Sequence, residues 1–125
     1  MYLVNLTPHA LNVYLPNDTE RVGRVLRVRD GAQPVLTVPS SGFARVKEIV
    51  TPQQPISVEG VAIPVFAKGF AADIDGLPKP AQGTGYVVSF ITAQAAGPRT
   101  DVYYPGEAVR NEAGDIVGSV GLSRI

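Results

Sequence analysis

From Ala81 to Pro98 the chain reads AQGTGYVVSFITAQAAGP, with no charged side chain at any position. A run of this kind is stable only when buried, so it belongs at the centre of the fold and the remaining segments must cover it. Tyr86 to Ser89 reads as a buried strand. From Ser89 the composition shifts to SFITAQAA and ends at Gly97-Pro98. Serine is a favoured N-cap, alanine favours helix and a Gly-Pro pair stops one, so a strand followed by a two-turn helix is expected. The competing reading is one long strand through Thr92, favoured by Phe90, Ile91 and Thr92.

The covering segments are short and cut by turn formers. Thirteen glycines and eleven prolines in 125 residues leave no room for long helices and imply many turns between short strands. Tyr2–Leu6 reads as a strand, Thr7-Pro8-His9 as a turn, and Ala10–Leu15 as a half-buried strand with Leu11, Val13 and Leu15 inward. Pro16-Asn17-Asp18 is a turn. Arg21–Gly31 reads as one strand with a basic outer face, although Arg24 and Val25 break its alternation. Val35–Val38 and Phe43–Val50 follow as strands, the second with Arg45 and Lys47 outward. Val58–Val65 is a further strand with a bulge or turn at Glu59-Gly60, FAKGFAAD is ambiguous, and IDGLPKPAQGTG is loop. Leu77, isolated among turn formers, implies that this loop covers something apolar. Asp101–Tyr104 reads as a strand, Pro105-Gly106 as a turn, and Ala108–Arg110 with Ile116–Val120 as a hairpin around NEAGD with Gly114 left-handed. The sum is one domain over residues 1–125, mainly β: a small antiparallel barrel or sandwich of about eight to ten short strands with at most one or two short helices.

Balanced charge, eleven basic against eleven acidic residues, points away from nucleic acid or an anionic membrane as partner. With no cysteine there is no disulfide or thiolate chemistry, and a single histidine excludes a multi-histidine metal centre within one chain. No cofactor or metal site is predicted. The N-terminal MYLVNLTPHALNVYL lacks a basic leader and is interrupted by Pro8, so it does not read as a secretion signal. No segment reaches ~20 uninterrupted apolar residues, so no membrane span is expected.

Few residues suggest chemistry. Histidine is the one side-chain type that titrates near neutrality, and His9 is a candidate acid–base group or ligand contact. A lone histidine after a turn is more often a hydrogen-bonding structural residue. Asp73, Asp75 and Glu59 are candidates for a carboxylate set, with turn formation the better account of the aspartates. Gly83-Thr84-Gly85 lacks the lysine of a phosphate loop and the third glycine of a dinucleotide fingerprint. Arginine pairs bidentately with phosphate or carboxylate, and Arg21, Arg24, Arg27 and Arg29 crowd one segment while Arg45, Lys47, Lys68, Arg99 and Arg110 fall near turns or strand ends. Solvated strand faces are the plainer account of these charges. Tyr103 and Tyr104, followed by Pro105, are candidate interface residues because aromatic side chains concentrate at interface centres.

The opening Asn5-Leu6-Thr7-Pro8-His9, the middle Pro39-Ser40-Ser41-Gly42-Phe43-Ala44-Arg45-Val46 and the run from Asp75-Gly76-Leu77-Pro78 through Gly83, Thr84, Tyr86 and Ser89 resemble a family of small uncharacterised proteins of phages, prophages and bacteria. Arg99, Asp101, Pro105-Gly106, Val109-Arg110, Glu112, Gly114, Ile116 and Gly118 continue the resemblance in order along most of the chain. It departs at Asn111, where the family usually has Asp, and at Ser119, where it usually has Cys; the Arg21–Arg29 segment is also longer and more basic. The resemblance implies a phage or prophage origin and assigns neither an activity nor a site.

Together these readings predict a non-enzymatic, phage-type binding protein. The favoured form is a homo-oligomer that sequesters an anionic small molecule, such as a nucleotide signal, with His9, Arg45, Arg99 and Arg110, in the cytoplasm of a bacterial host. Tyr103, Tyr104 and Pro105 are its expected subunit contact. The alternative is a virion structural or decoration protein that packs against other virion proteins.

Overall fold

The computed structural model describes residues 1–125, apart from the side chain of Ala72. Strands account for 52% of the chain and helix for 7%, so the protein is mainly β, with a nearly closed barrel-like sheet and smaller sheets beside it. In chain order the strands are β1 (Tyr2–Asn5), β2 (Leu11–Tyr14), β3 (Thr19–Val22), β4 (Val25–Val28), β5 (Leu36–Val38), β6 (Arg45–Pro52), β7 (Ile56–Val58) and β8 (Val61–Ile63). They continue as β9 (Phe66–Asp75), β10 (Thr84–Val87), β11 (Val102–Arg110) and β12 (Ile116–Ser123), with the single α-helix α1 (Phe90–Ala95) between β10 and β11.

The barrel path runs β1-β10-β11-β12-β2-β5. Past β5 the chain returns to β1: Ser40 bridges Asn5, and the Ser41 amide donates to the Asn5 carbonyl at 2.8 Å. The pairing is mixed, not antiparallel as expected, because strands distant in sequence lie side by side and only some neighbours are joined as hairpins. Pairs β11–β12, β2–β5 and β3–β4 are antiparallel, whereas β1–β10, β10–β11, β11–β4 and β12–β2 are parallel.

Side-chain alternation divides the interior in two. Leu3, Leu11, Val13, Val38, Val87, Tyr103 and Leu122 meet inside the curl of the sheet. Val4, Tyr86, Val88, Val102 and Tyr104, their neighbours in sequence, point the other way, against Leu6, Ala44, Leu77 and the Ala93 face of α1. Strands β1, β10 and β11 are therefore covered on both faces. The expectation of burial for the charge-free run holds only for Gly85–Val88, Thr92 and Ala93; Ala81–Gly83, Ser89–Ile91 and Gln94 are exposed, because they lie in the loop before β10 and on the outer face of α1. Leu77 is the cap its isolation suggested. Helix α1 forms where expected: the Ser89 hydroxyl accepts from the Thr92 amide at 3.4 Å, and Gly97 follows with φ +60°.

Besides the mixed pairing, five sequence expectations change. In β2 Leu11 and Val13 are buried as expected, but Leu15 lies past the strand end and is exposed, while Tyr14 is buried with its ring against Gly118. Arg21–Gly31 is not one strand but the β3–β4 hairpin, turned at Gly23 with φ +63°. That turn explains why Arg24 and Val25 broke the alternation. Val58–Val65 likewise divides into β7 and β8, joined by Glu59 and Gly60 at φ +50° and +81°. Two successive positive φ values are the signature of the mirror-image hairpin turn that matches strand twist. The loop expected to begin at Ile74 starts two residues later, because β9 continues through Asp75.

Pro105-Gly106 is not a turn, since β11 runs straight through it. Pro105 lies opposite Leu122, and Gly106 approaches β12 so closely that any Cβ would collide with the Val120 and Gly121 carbonyl oxygens. Here the glycine serves close strand packing rather than chain reversal.

Candidate functional site

Two neighbouring clefts, of about 360 and 600 Å³, flank the loop between β1 and β2 and share Thr7 and Ser89 in their walls. The loop is held from beneath by Asn5, whose side chain is 0% exposed. Its Nδ2 donates to the carbonyls of His9 at 2.8 Å and Val38 at 3.0 Å. Its Oδ1 accepts from the Thr7 amide at 3.0 Å and the Thr7 hydroxyl at 2.6 Å. The Ser40 hydroxyl then donates to the Thr7 carbonyl, tying the loop to the segment that closes the barrel. Every donor and acceptor of the buried amide is used, so the loop has one conformation to offer.

On one side of this loop the larger cleft is walled by His9, Leu11, Phe90, Pro105, Ile116 and Ser119. His9 is exposed, and its imidazole makes no hydrogen bond to another described residue. On the other side the smaller cleft is walled by Pro8, Phe43, Arg45 and Ile91. The Arg45 guanidinium lies 4.0 Å from the centre of the Phe43 ring; Asp75 stands opposite it in the β6–β9 register, but the two side chains form no ion pair. Among the described residues no Asp or Glu lines either cleft. The groove thus offers cationic and apolar contacts, and its histidine has no acid to orient it.

Arg99 and Arg110 belong elsewhere. Arg99 donates through Nη2 and Nε to the two carboxylate oxygens of Asp101, at 2.7 and 3.0 Å, and through Nη1 to the Pro78 carbonyl at 2.8 Å. The bidentate hydrogen bond holds the Asp101 carboxyl below its ordinary range against the opposing effect of burial, and raises the Arg99 guanidinium. Arg99 therefore fastens the Pro-rich loop to the start of β11. Arg110 donates to the Gly114 carbonyl at 2.7 Å and closes the β11–β12 turn. The crowded basic segment is largely paired as well: Arg21 grips Glu107 at 2.9 and 3.1 Å, Arg27 donates to the Glu112 carbonyl, and Arg29 lies 3.7 Å from Glu20.

Of the carboxylate set, Asp73 and Asp75 lie two residues apart within β9, not in the turn expected of them, and Glu59 is remote from both. Glu59 stands at the far turn of the β7–β8 hairpin, while Asp75 pairs with Arg45 in register at the other end of the β6–β9 pair. No group of three metal-ligating side chains comes together among the described residues.

The expected interface residues are half-buried within the chain. Tyr103 fills the barrel interior and accepts a 2.7 Å hydrogen bond from Arg124, whose guanidinium lies 4.8 Å from the ring centre. Tyr104 meets Phe90 edge to face at 5.0 Å, and Pro105 lines the larger cleft.

The larger accessible apolar surface lies apart from these clefts. From Lys47 to Phe70 every residue except Val65 is exposed. This stretch carries eight large apolar side chains: Ile49, Val50, Ile56, Val58, Val61, Ile63, Phe66 and Phe70. Strands β6 and β9 form an arm whose base leans on α1, and the β7–β8 hairpin is its tip. Residues 58–65 read along the chain as one strand with a bulge or turn at Glu59-Gly60, and nothing local said that Ile56, Val58, Val61 and Ile63 would share one face of a hairpin or that this face would stay uncovered.

Comparison with known proteins gives no match to a family model, a curated protein or a solved structure. No helix is long and apolar enough to cross a membrane.

Proposed function

We propose that this chain is a non-enzymatic binding protein that captures a small molecule carrying an anionic group, such as a nucleotide, in the groove on either side of the Thr7–His9 loop. The observation that carries this reading is the pairing of His9 and Arg45 across one rigid loop, in a groove with apolar walls and no carboxylate among its described lining residues. Arginine binds phosphate through a planar fork, and the ring-sized walls formed by Phe43 and Phe90 suit a flat apolar group. The larger cleft is of the size small-molecule sites take, a few hundred Å³. Arg99 and Arg110, spent on Asp101 and on a turn carbonyl, leave the set of ligand contacts. A phage or prophage origin, implied by the resemblance noted above, is consistent with a protein that removes a nucleotide signal by binding it.

Titration calorimetry against a panel of mono-, di- and cyclic nucleotides tests this. Arg45→Ala and His9→Ala should each weaken binding roughly tenfold, the equivalent of ~1.4 kcal/mol. Arg110→Ala should leave affinity unchanged. If no member of the panel gives heat with the unmodified protein, the reading is wrong.

The virion structural role is the second reading, and the exposed apolar arm favours it: a projecting β-arm is a means of gripping lattice neighbours. Mass spectrometry of purified particles decides, since a protein absent from the virion does not build it.

A further inference from the structure

We propose that the arm formed by residues 45–75 is an assembly element whose partner is a second copy of this chain, with the apolar faces of the two tips packed against each other. The register pairs Ile56 with Ile63 and Val58 with Val61, so these four β-branched side chains share one face of the tip, while Ser57 and Ala62 share the other. All four are exposed, and so is every other residue of β7 and β8. An isolated two-stranded ribbon is marginal in water, and its open edges and bare apolar face favour association. This ribbon has no cover from its own chain beyond its base.

Three observations select a second copy as the cover. The area fits: half-exposed side chains of this size present on the order of 100 Å² each, so the four of the tip face offer roughly 400 Å² and Val50, Phe66 and Phe70, on the shaft face that also carries Glu48 and Lys68, roughly 300 Å² more, close to what one partner brings to a standard interface. Charge fits too. On the shaft, Lys68 lies 3.8 Å from Glu48, so the arm carries both signs side by side. A two-fold mate can then set its lysine against this glutamate and its glutamate against this lysine. The whole chain has no net charge, so two copies approach without long-range repulsion. The tip face is moreover self-complementary by composition, four aliphatic side chains with no polar group among them.

This inference is independent of ligand capture: a monomer that binds nucleotide would overturn it and leave that reading intact. Light scattering on the full chain should give a mass of two or more copies of 13.2 kDa at micromolar concentration. The double variant Ile56→Asp with Val61→Asp should run as a single chain while its urea midpoint, reporting the barrel, stays within error. The chain contains no cysteine, so Val61→Cys should form a disulfide-linked pair under mild oxidation and Ser57→Cys, on the opposite face, far less. An unmodified protein of 13.2 kDa, or a double variant that keeps the assembled mass, overturns the proposal. So does dissociation by Ile116→Asp, which would mean that the arm seats in a neighbour's cleft instead of on a second arm.

Discussion

Replacing Asn5 with alanine should cost more stability than any other polar-to-alanine change in the chain. The side chain is 0% exposed and makes four hydrogen bonds that link the end of β1, the Thr7–His9 loop and the closing strand β5. Alanine leaves two carbonyls and one amide without their partner, and a buried orphan costs about 1–3 kcal/mol. Water reaching the loop side would relieve part of this, so the expected loss is about 3–5 kcal/mol. For a domain of this size that is a fall in Tm of roughly 10–20 °C. Asn5→Asp sharpens the test, since it keeps the volume but turns an anionic oxygen toward the His9 and Val38 carbonyls. Burial and those carbonyls raise the new carboxyl above its unfolded value of about 3.9. A raised carboxyl binds its proton more tightly in the folded state, so the variant should be weakest above the raised value and regain stability as pH falls toward 4. Urea denaturation at pH 7.5 and pH 5, with the unmodified protein subtracted, reads both effects. If Asn5→Ala lies within 1 kcal/mol of the unmodified protein, or Asn5→Asp shows no gain at the lower pH, the clasp does not hold the barrel closed.

Two further outcomes follow from the same reasoning. Asp101 is depressed by Arg99, so its contribution is complete above the unfolded carboxyl value near 4 and is lost as pH falls below that value through the folded one. Asp101→Asn should lower stability at pH 7 by about 2 kcal/mol, as expected for a charge-assisted bond, and flatten the acid limb of the urea midpoint against pH; an unchanged acid limb would contradict the assignment. Gly106→Ala drives a methyl into the Val120 and Gly121 carbonyls and should cost about 2–4 kcal/mol in urea, more than ordinary core overpacking, because backbone on a paired strand cannot give way. Should that variant match the unmodified protein, β11 and β12 do not approach as described.

Much of the barrel was legible along the chain. Hydrophobic alternation and turn formers are local signals, and they place β1, β2, β10, the Ser89 cap of α1 and the Gly114 hairpin nearly where they fall. The same local chemistry accounts for the β10 part of the charge-free run, since a strand buried on both faces has no place for a charge, but not for its exposed flanks at Ala81–Gly83 and Ser89–Ile91. What local signals cannot carry is the identity of a residue's neighbour. Gly106 reads as a turn glycine until β12 arrives beside it, and Asn5 reads as one more polar residue before a turn until Val38 and His9 present their carbonyls. Arg99 and Arg110 looked like Arg45, a cation near a strand end. Only the fold brings Asp101 and Pro78 to the first and the Gly114 carbonyl to the second, while the side chains of Arg45 and His9 make no such bond among the described residues. The arm is the clearest case. The register of β7 and β8 sets Ile56, Val58, Val61 and Ile63 on one face, and that face wants cover, because burial is favourable for any apolar face. Whether the chain supplies that cover depends on where β6 and β9 point when they leave the barrel, and they carry that face away from the rest of the chain.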